Sequence, residues 1–115
     1  MLGRDVQKEL AHRDMNFLAC DRSVCDITSA ESCARLFAEN PGITVVINCA
    51  AYTDVNRAEA EEELATMING QGPQNLANAC KAAGARLIHV STDYVFDGTK
   101  AGPYTPQDST NPLNA

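Results

Sequence analysis

Ile43-Thr44-Val45-Val46-Ile47-Asn48-Cys49 is the stretch on which the fold turns. It is β-branched and continuously apolar up to Asn48, as a strand is when helices cover both faces of a parallel sheet. Upstream, Thr28-x-x-Glu31 has the capping-box spacing, in which a hydroxyl and a carboxylate satisfy the free amides of a helix start. Ala30, Cys33, Ala34 and Phe37 then fall on one helical face, and Asn40-Pro41-Gly42 ends that helix. Earlier still, Asn16-Phe17-Leu18-Ala19-Cys20 is a short apolar run closed by Asp21-Arg22, which predicts a buried strand of about five residues. Before it, Val6 and Leu10 sit four apart among charged neighbours, the narrow stripe of a surface helix running from Gly3 to about His12.

Downstream of the acidic patch from Glu59 to Glu63, the residues Leu64, Ile68, Gly72, Leu76, Ala79/Cys80 and Ala83 recur at helical spacing, and Gly84 supplies a C-cap. Pro73 lies inside this helix. Having no amide hydrogen, it deprives the carbonyl of Asn69 of its helical partner, so a kink is predicted there. Arg86-Leu87-Ile88-His89-Val90-Ser91-Thr92 reads as another buried strand, Asp97-Gly98 as a turn, and residues 102–115, with three of the five prolines, as a loop. Helices and strands alternate as in a doubly wound α/β sheet, a pattern that begins and ends part-way.

The chain has 115 residues, 44% of them hydrophobic, enough for one modest domain. With 9 Lys+Arg against 15 Asp+Glu, its net charge of −6 repels phosphate backbones, and a nucleic-acid partner is not expected. The longest apolar stretch, Ile43 to Ala51, falls far short of the roughly 18–20 residues that cross a bilayer, and no signal pattern opens the chain. A soluble, cytoplasmic protein without a membrane partner is the expectation. The five cysteines (20, 25, 33, 49 and 80) show neither disulfide-framework nor zinc-ligand spacing and are expected to be reduced, mostly buried thiols. His89, mid-strand, is expected to be a packed, hydrogen-bonded core residue, and His12 has no evident partner.

In open α/β sheets ligands bind beyond the carboxyl ends of the strands. Asp21 follows the first predicted strand, where a carboxylate can hydrogen-bond an adenosine ribose, and Arg22 could instead meet a 2′-phosphate; a solvated turn is the bland reading. Ala50-Ala51-Tyr52-Thr53 follows the central strand, with small residues that let a flat cofactor approach and a hydroxyl to bond it. Simple packing of a helix against a strand end is the alternative. Ser91-Thr92-Asp93-Tyr94 gathers hydroxyls and a carboxylate at a strand end, where polar groups need partners that a polar substrate would supply.

Asn48-Cys-Ala-Ala-Tyr-Thr-Asp-Val-Asn-Arg-Ala-Glu59, Val90-Ser-Thr-Asp-Tyr-Val-Phe-Asp-Gly98 and Pro112-Leu-Asn114 closely resemble the dTDP-4-dehydrorhamnose reductase family of extended short-chain dehydrogenase/reductases. The resemblance runs through essentially all of the chain. It implies an oxidoreductase that reduces a dTDP-linked 4-keto-6-deoxyhexose with NADPH or NADH to dTDP-L-rhamnose, built on a Rossmann-like domain over residues 1–115, with 98–115 as a loop on the substrate side. By position it implies cofactor contacts at Gly3, Asp21, Asp26, Ile27, Ala51, Tyr52 and Thr53. Thr92 matches the hydroxyl that polarises the substrate carbonyl, Asp93 a neighbouring substrate contact, and Asn69 the asparagine whose main-chain carbonyl holds a proton-relay water. A homodimer and a Mg2+ ion also belong to the family's repertoire. No ligand set for that ion is readable here.

The chain also departs from the family. Only Gly3 could represent the glycine-rich phosphate loop, and the strand before that loop is absent. The family's Tyr-x-x-x-Lys pair, in which a lysine lowers the tyrosine pKa, is absent too, because Tyr52, Tyr94 and Tyr104 are followed four residues on by Asn56, Gly98 and Asp108. The missing strand would lie between the Phe17 and Val45 strands, leaving two apolar edges without a partner. The expectation is therefore a reductase fragment, inactive and aggregation-prone by itself. A non-catalytic protein of the same fold, like the regulatory β subunit of methionine adenosyltransferase, is the alternative; an unrelated small module using the acidic patch is a third.

Overall fold

The computed structural model describes residues 2–113. Met1, Asn114 and Ala115, and with them the end of the Pro112-Leu113-Asn114 match, lie outside the described residues. Helix α1 spans Leu2–His12 and α2 Ala30–Glu39; strand β1 is Val45–Asn48. Short helices α3 (Val55–Ala58) and α4 (Glu62–Thr66) follow, then a π-helical segment, Met67–Gln71, that runs directly into α5 (Gly72–Ala83). Strand β2 is Arg86–His89, and a 3-10 turn covers Asp93–Val95. The two strands pair in parallel, with Val46 opposite Leu87 and Asn48 opposite His89.

The core lies on one side of this sheet. Cys25, Cys33, Leu36 and Leu76 form its buried cluster, against which Ile27, Ile43, Ala79 and Leu87 pack. Helices α2 and α5 meet here, and Gly72 lets α5 lie close against Ile27 in the turn that leads into α2. A Cβ on Gly72 would lie 2.6 Å from Ile27 Cδ1. Helix α5 ends as its sequence predicts, on Gly84 in the left-handed region at φ 70.

Several expectations are corrected. Residues 16–20 form no strand, and Met15, Phe17 and Leu18 are exposed. An extended segment gains its hydrogen bonds only from a neighbour, and neither described strand lies beside this one. The N-cap of α2 is Ser29 rather than Thr28: Ser29 is extended and its hydroxyl accepts from Ser32 N at 3.2 Å. The buried face of α2 is consequently Ser32, Cys33, Leu36 and Phe37, while Ala30 and Ala34 are exposed. β1 is shorter than the apolar run that encodes it. It is also covered on one face only, since Val45 is 46% exposed, Ile47 38% and Ile88 52%. The ladder of the long helix is irregular just before Pro73, where the sequence places a disruption, and the irregularity takes a definite form. The amide of Gly72 reaches back five residues to Met67 O, a π-bulge that shifts the ladder just before the residue unable to donate.

Candidate functional site

The register of β1 and β2 sets their carboxyl ends side by side, so residues 49–53 and 90–93 leave the sheet as neighbours. Buried Asn48 joins them. Its Oδ1 accepts from Ala50 N at 3.0 Å, which orients the amide and turns Nδ2 toward His89 Nδ1 at 3.1 Å. With an amide N–H aimed at it, Nδ1 is the acceptor and the ring proton resides on Nε2. His89 is thus hydrogen-bonded as expected but exposed rather than packed, because it stands at the end of a sheet that has two strands among the described residues.

The loop after β1 is held from the π-bulge. Asn69 Oδ1 accepts from Tyr52 N at 2.8 Å and Asn69 Nδ2 donates to Tyr52 O at 3.0 Å, so one side chain brackets both main-chain groups of that residue. Sequence reasoning singled out the main-chain carbonyl of Asn69 and missed its side chain; the available signal was an amide residue within one turn of the kinking proline. The Tyr52 hydroxyl donates to Glu61 Oε2 at 2.5 Å, and Arg57 Nη2 donates to Glu61 Oε1 at 2.6 Å. The bond to Tyr52, then that to Arg57, holds the Glu61 carboxyl below its usual range, and the same carboxylate pushes the Tyr52 hydroxyl up. Ala51 and Thr53 on either side are exposed.

Asp21 closes a turn instead of a strand. Its Oδ1 accepts from Ser23 N at 2.9 Å, from the Ser23 hydroxyl at 2.5 Å and from Val24 N at 3.3 Å. These bonds, led by the Ser23 hydroxyl, keep the carboxyl below its usual range, so it is ionised at neutral pH. Arg22 Nε donates to Asp26 Oδ2 at 3.2 Å, while Asp26 Oδ1 accepts from Thr28 N and its hydroxyl at 3.0 and 2.7 Å. The Arg22 side chain is 77% exposed, so this ion pair is weak and exchangeable. Ile27 faces the core at Gly72, and its carbonyl accepts from Asn75 Nδ2 at 2.9 Å.

Beyond β2, Thr92 caps the 3-10 turn by accepting from Tyr94 N at 3.2 Å, and its hydroxyl donates to Asp93 Oδ1 at 3.4 Å. Both residues are exposed. The following loop is organised around Asp97, which the sequence showed only as a turn residue. Asp97 Oδ1 accepts from Thr99 N at 3.0 Å, the Thr99 hydroxyl at 2.7 Å and the Tyr104 hydroxyl at 3.0 Å; Oδ2 accepts from Asn111 Nδ2 at 2.9 Å. Phe96 and Tyr104 stack with ring centroids 4.2 Å apart. Asp93, Tyr94, Phe96 and Tyr104 thereby line an open cleft of about 530 Å³. Among the described residues no group of three His, Cys, Asp or Glu side chains could hold a metal ion, so the Mg2+ implied by resemblance finds no ligand set here. No described helix is long and apolar enough to cross a membrane.

Parallel strands joined through a helical crossover, with polar groups gathered beyond their carboxyl ends, define part of a Rossmann-like α/β domain. The family described as RmlD substrate binding domain matches residues 1–115, and the chain belongs to that family. A dTDP-4-dehydrorhamnose reductase of Mycobacterium tuberculosis is 48% identical over 115 residues, covering 96% of this chain and 37% of the relative. The crystal structure of a dTDP-4-dehydrorhamnose reductase from Clostridium acetobutylicum superposes with a TM-score of 0.92 at 42% identity, covering 98% of this chain and 40% of that one. The Bacillus anthracis dTDP-4-dehydrorhamnose reductase, solved in complex with NADP, gives a TM-score of 0.91 at 36% identity, covering 98% and 40%. The chain thus spans less than half the length of the proteins it matches.

Proposed function

We propose that these residues form the cofactor-side portion of an NAD(P)H-dependent reductase acting on a dTDP-linked 4-keto sugar, in a cytoplasmic and homodimeric enzyme. The observation that carries this reading is the juxtaposition of residues 50–53 with Thr92 and Asp93 at neighbouring strand ends. The dinucleotide fits the groups present. Gly3, in the first turn of α1, would set a Cβ 3.5 Å from Cys49, so the free amides of that helix start stand beside the end of β1, as a pyrophosphate requires. Ionised Asp21 offers its second oxygen to a ribose hydroxyl, and Asp26 and Ile27 border the adenine. Ala51 and Thr53 line the middle of the cofactor, with Tyr52 held in place by Asn69.

Bound NADPH or NADH supplies the hydride. The Thr92 hydroxyl turns from Asp93 to the substrate carbonyl and donates where negative charge develops, and Asp93 bonds a neighbouring sugar hydroxyl. The Asn69 carbonyl holds a relay water, and residues 98–115 flank the sugar. The proton donor is not among these tyrosines, as none has a lysine four residues on. The metal has no step here.

The test grafts residues 1–115 into the corresponding stretch of the M. tuberculosis relative. The chimera is expected to oxidise NADPH in the presence of a dTDP-4-keto-6-deoxy sugar, and Thr92→Val to lower kcat by about 10²–10³. A folded chimera that binds neither nucleotide nor sugar overturns the reading.

A further inference from the structure

Three thiols run from the surface into the core beside the Asp21 turn, and none has a role in the chemistry above. Cys20 is exposed, Cys25 is 7% exposed and Cys33 is fully buried. Cys25 and Cys33 belong to the same buried cluster, packed with Leu36 and Leu76. The Cys33 thiol donates to Ile27 O at 3.8 Å, and Cys25 is its neighbour in the cluster. The turn that follows Cys20 is closed by Cys25 N donating to Asp21 O at 2.9 Å, so the chain folds back within five residues, and the Cys20 thiol donates to Leu18 O at 3.9 Å. A disulfide needs its sulfurs about 2.05 Å apart, and Cys25 and Cys33, packed in one core cluster, are placed to approach it.

We propose that Cys20, Cys25 and Cys33 form an oxidation site in which peroxide reacts at Cys20 and the disulfide comes to rest between Cys25 and Cys33. The Cys20 thiolate attacks a peroxide oxygen; the O–O bond breaks, hydroxide leaves as water, and Cys20 becomes a sulfenic acid. Cys25 attacks that sulfur, the S–O bond breaks, a second water leaves, and a Cys20–Cys25 disulfide forms. Cys33 then attacks the Cys25 sulfur and releases Cys20 as a thiol. In sum two thiols and one hydrogen peroxide give one disulfide and two waters. The product ties the segment carrying Asp21, Asp26 and Ile27 to the first turn of α2, so oxidation rigidifies that segment whatever ligand it binds.

Burial, then the nearby Cys25 and Asp21, pushes the Cys20 thiol up, and burial pushes Cys33 up to about 12. The thiolate is the reactive form, so oxidation is slow at neutral pH and speeds up as pH rises. This behaviour separates the site from a dedicated low-pKa sensor. Cys80 also lies near Cys33 and is buried.

The experiment exposes the full chain to hydrogen peroxide, quenches by alkylation in denaturant, and maps the linked peptides by mass spectrometry. A Cys25–Cys33 link is expected, with a loss of two hydrogen atoms and two alkylatable thiols. Cys20→Ser, a surface change, is expected to slow the link by at least about tenfold. Cys33→Ala, where it folds, is expected to trap the Cys20–Cys25 disulfide. The proposal is overturned by oxidation of Cys20 to sulfinic acid with Cys25 and Cys33 still free. A link to Cys80, or an unchanged rate in Cys20→Ser, overturns it equally.

Discussion

Asp97 and Gly72 show how much single positions carry. The Asp97 carboxyl is held far below its usual range, first by the bond from Asn111 and then by those from Thr99 and Tyr104. A carboxylate whose folded pKa is depressed stabilises the fold above its unfolded pKa of about 3.9, and that contribution is lost as pH falls through the lower, folded value. Acid titration followed by tyrosine fluorescence is expected to show the Phe96–Tyr104 stack persisting below pH 3.9 or so and releasing only on further acidification, with Asp97→Asn releasing it at neutral pH. At Gly72 the clash is with a side chain, but Ile27 Cγ1 at 2.8 Å is crowded as well as Cδ1, so the whole isoleucine must turn. Overpacking costs about 1–3 kcal/mol and the helix propensity gained by Gly72→Ala returns about 1. The urea midpoint is expected to fall at unchanged m-value, together with affinity for an adenine nucleotide if Ile27 borders that ring. The sequence disclosed Gly72 as a helical position and Asp97 as a turn residue. It could not disclose their partners, which lie 45 and 14 residues away.

Among the elements, those whose limits are chemical were legible and those whose limits depend on neighbours were not. Gly84 ends α5 because of its own freedom at positive φ, and Asn40 caps α2 through a side-chain bond to Leu36 O at 2.9 Å, so both helix ends could be read from the chain. Thr28 and Ser29 are adjacent hydroxyls with the same capping chemistry; only the extended backbone of Ser29 decides between them. The apolar run from Asn16 to Cys20 has every local property of a strand except something to pair with. Pro73 announced a kink without specifying a π-bulge, and so the side chain of Asn69 went unnoticed. Replacing Pro73 by Ala restores the missing donor and is expected to regularise the helix, rotating Asn69 by about 100° and out of reach of Tyr52. In the grafted reductase, weaker NADPH binding and slower proton delivery should follow; kinetics identical to the parent chimera would dismiss the coupling.

The whole molecule is open. Its surface of 8502 Å² exceeds the roughly 6,100 Å² usual for a folded chain of this mass. Its radius of gyration of 15.8 Å exceeds the expected value of about 13 Å. Large apolar side chains are exposed on the sheet, at Val45, Ile47, Ile88 and Val90, and along Met15, Phe17 and Leu18. Unpaired strand edges beside such a face promote association. The isolated 115-residue chain is expected to self-associate with rising concentration in light-scattering chromatography and to bind a hydrophobic dye; a monodisperse, dye-silent monomer would contradict this. The alternation of helices and strands was readable because β1 and β2 carry it in their own composition. The bare face was not readable, since an apolar residue looks the same in sequence whether or not anything covers it.

The π-bulge between Met67 and Gln71 has one more consequence, for how the chain tolerates changes in length. The segment holds one residue more than a regular helix of the same rise would need. Deleting a single residue there would therefore leave a helix that still spans the same gap, with an unbroken ladder up to the proline and every side chain beyond it in place. Folding would survive and could even gain, while Asn69 would lose its alignment with Tyr52. A gap of one position at this point in a related sequence thus marks a chain that keeps its shape and gives up the grip on its strand-end loop.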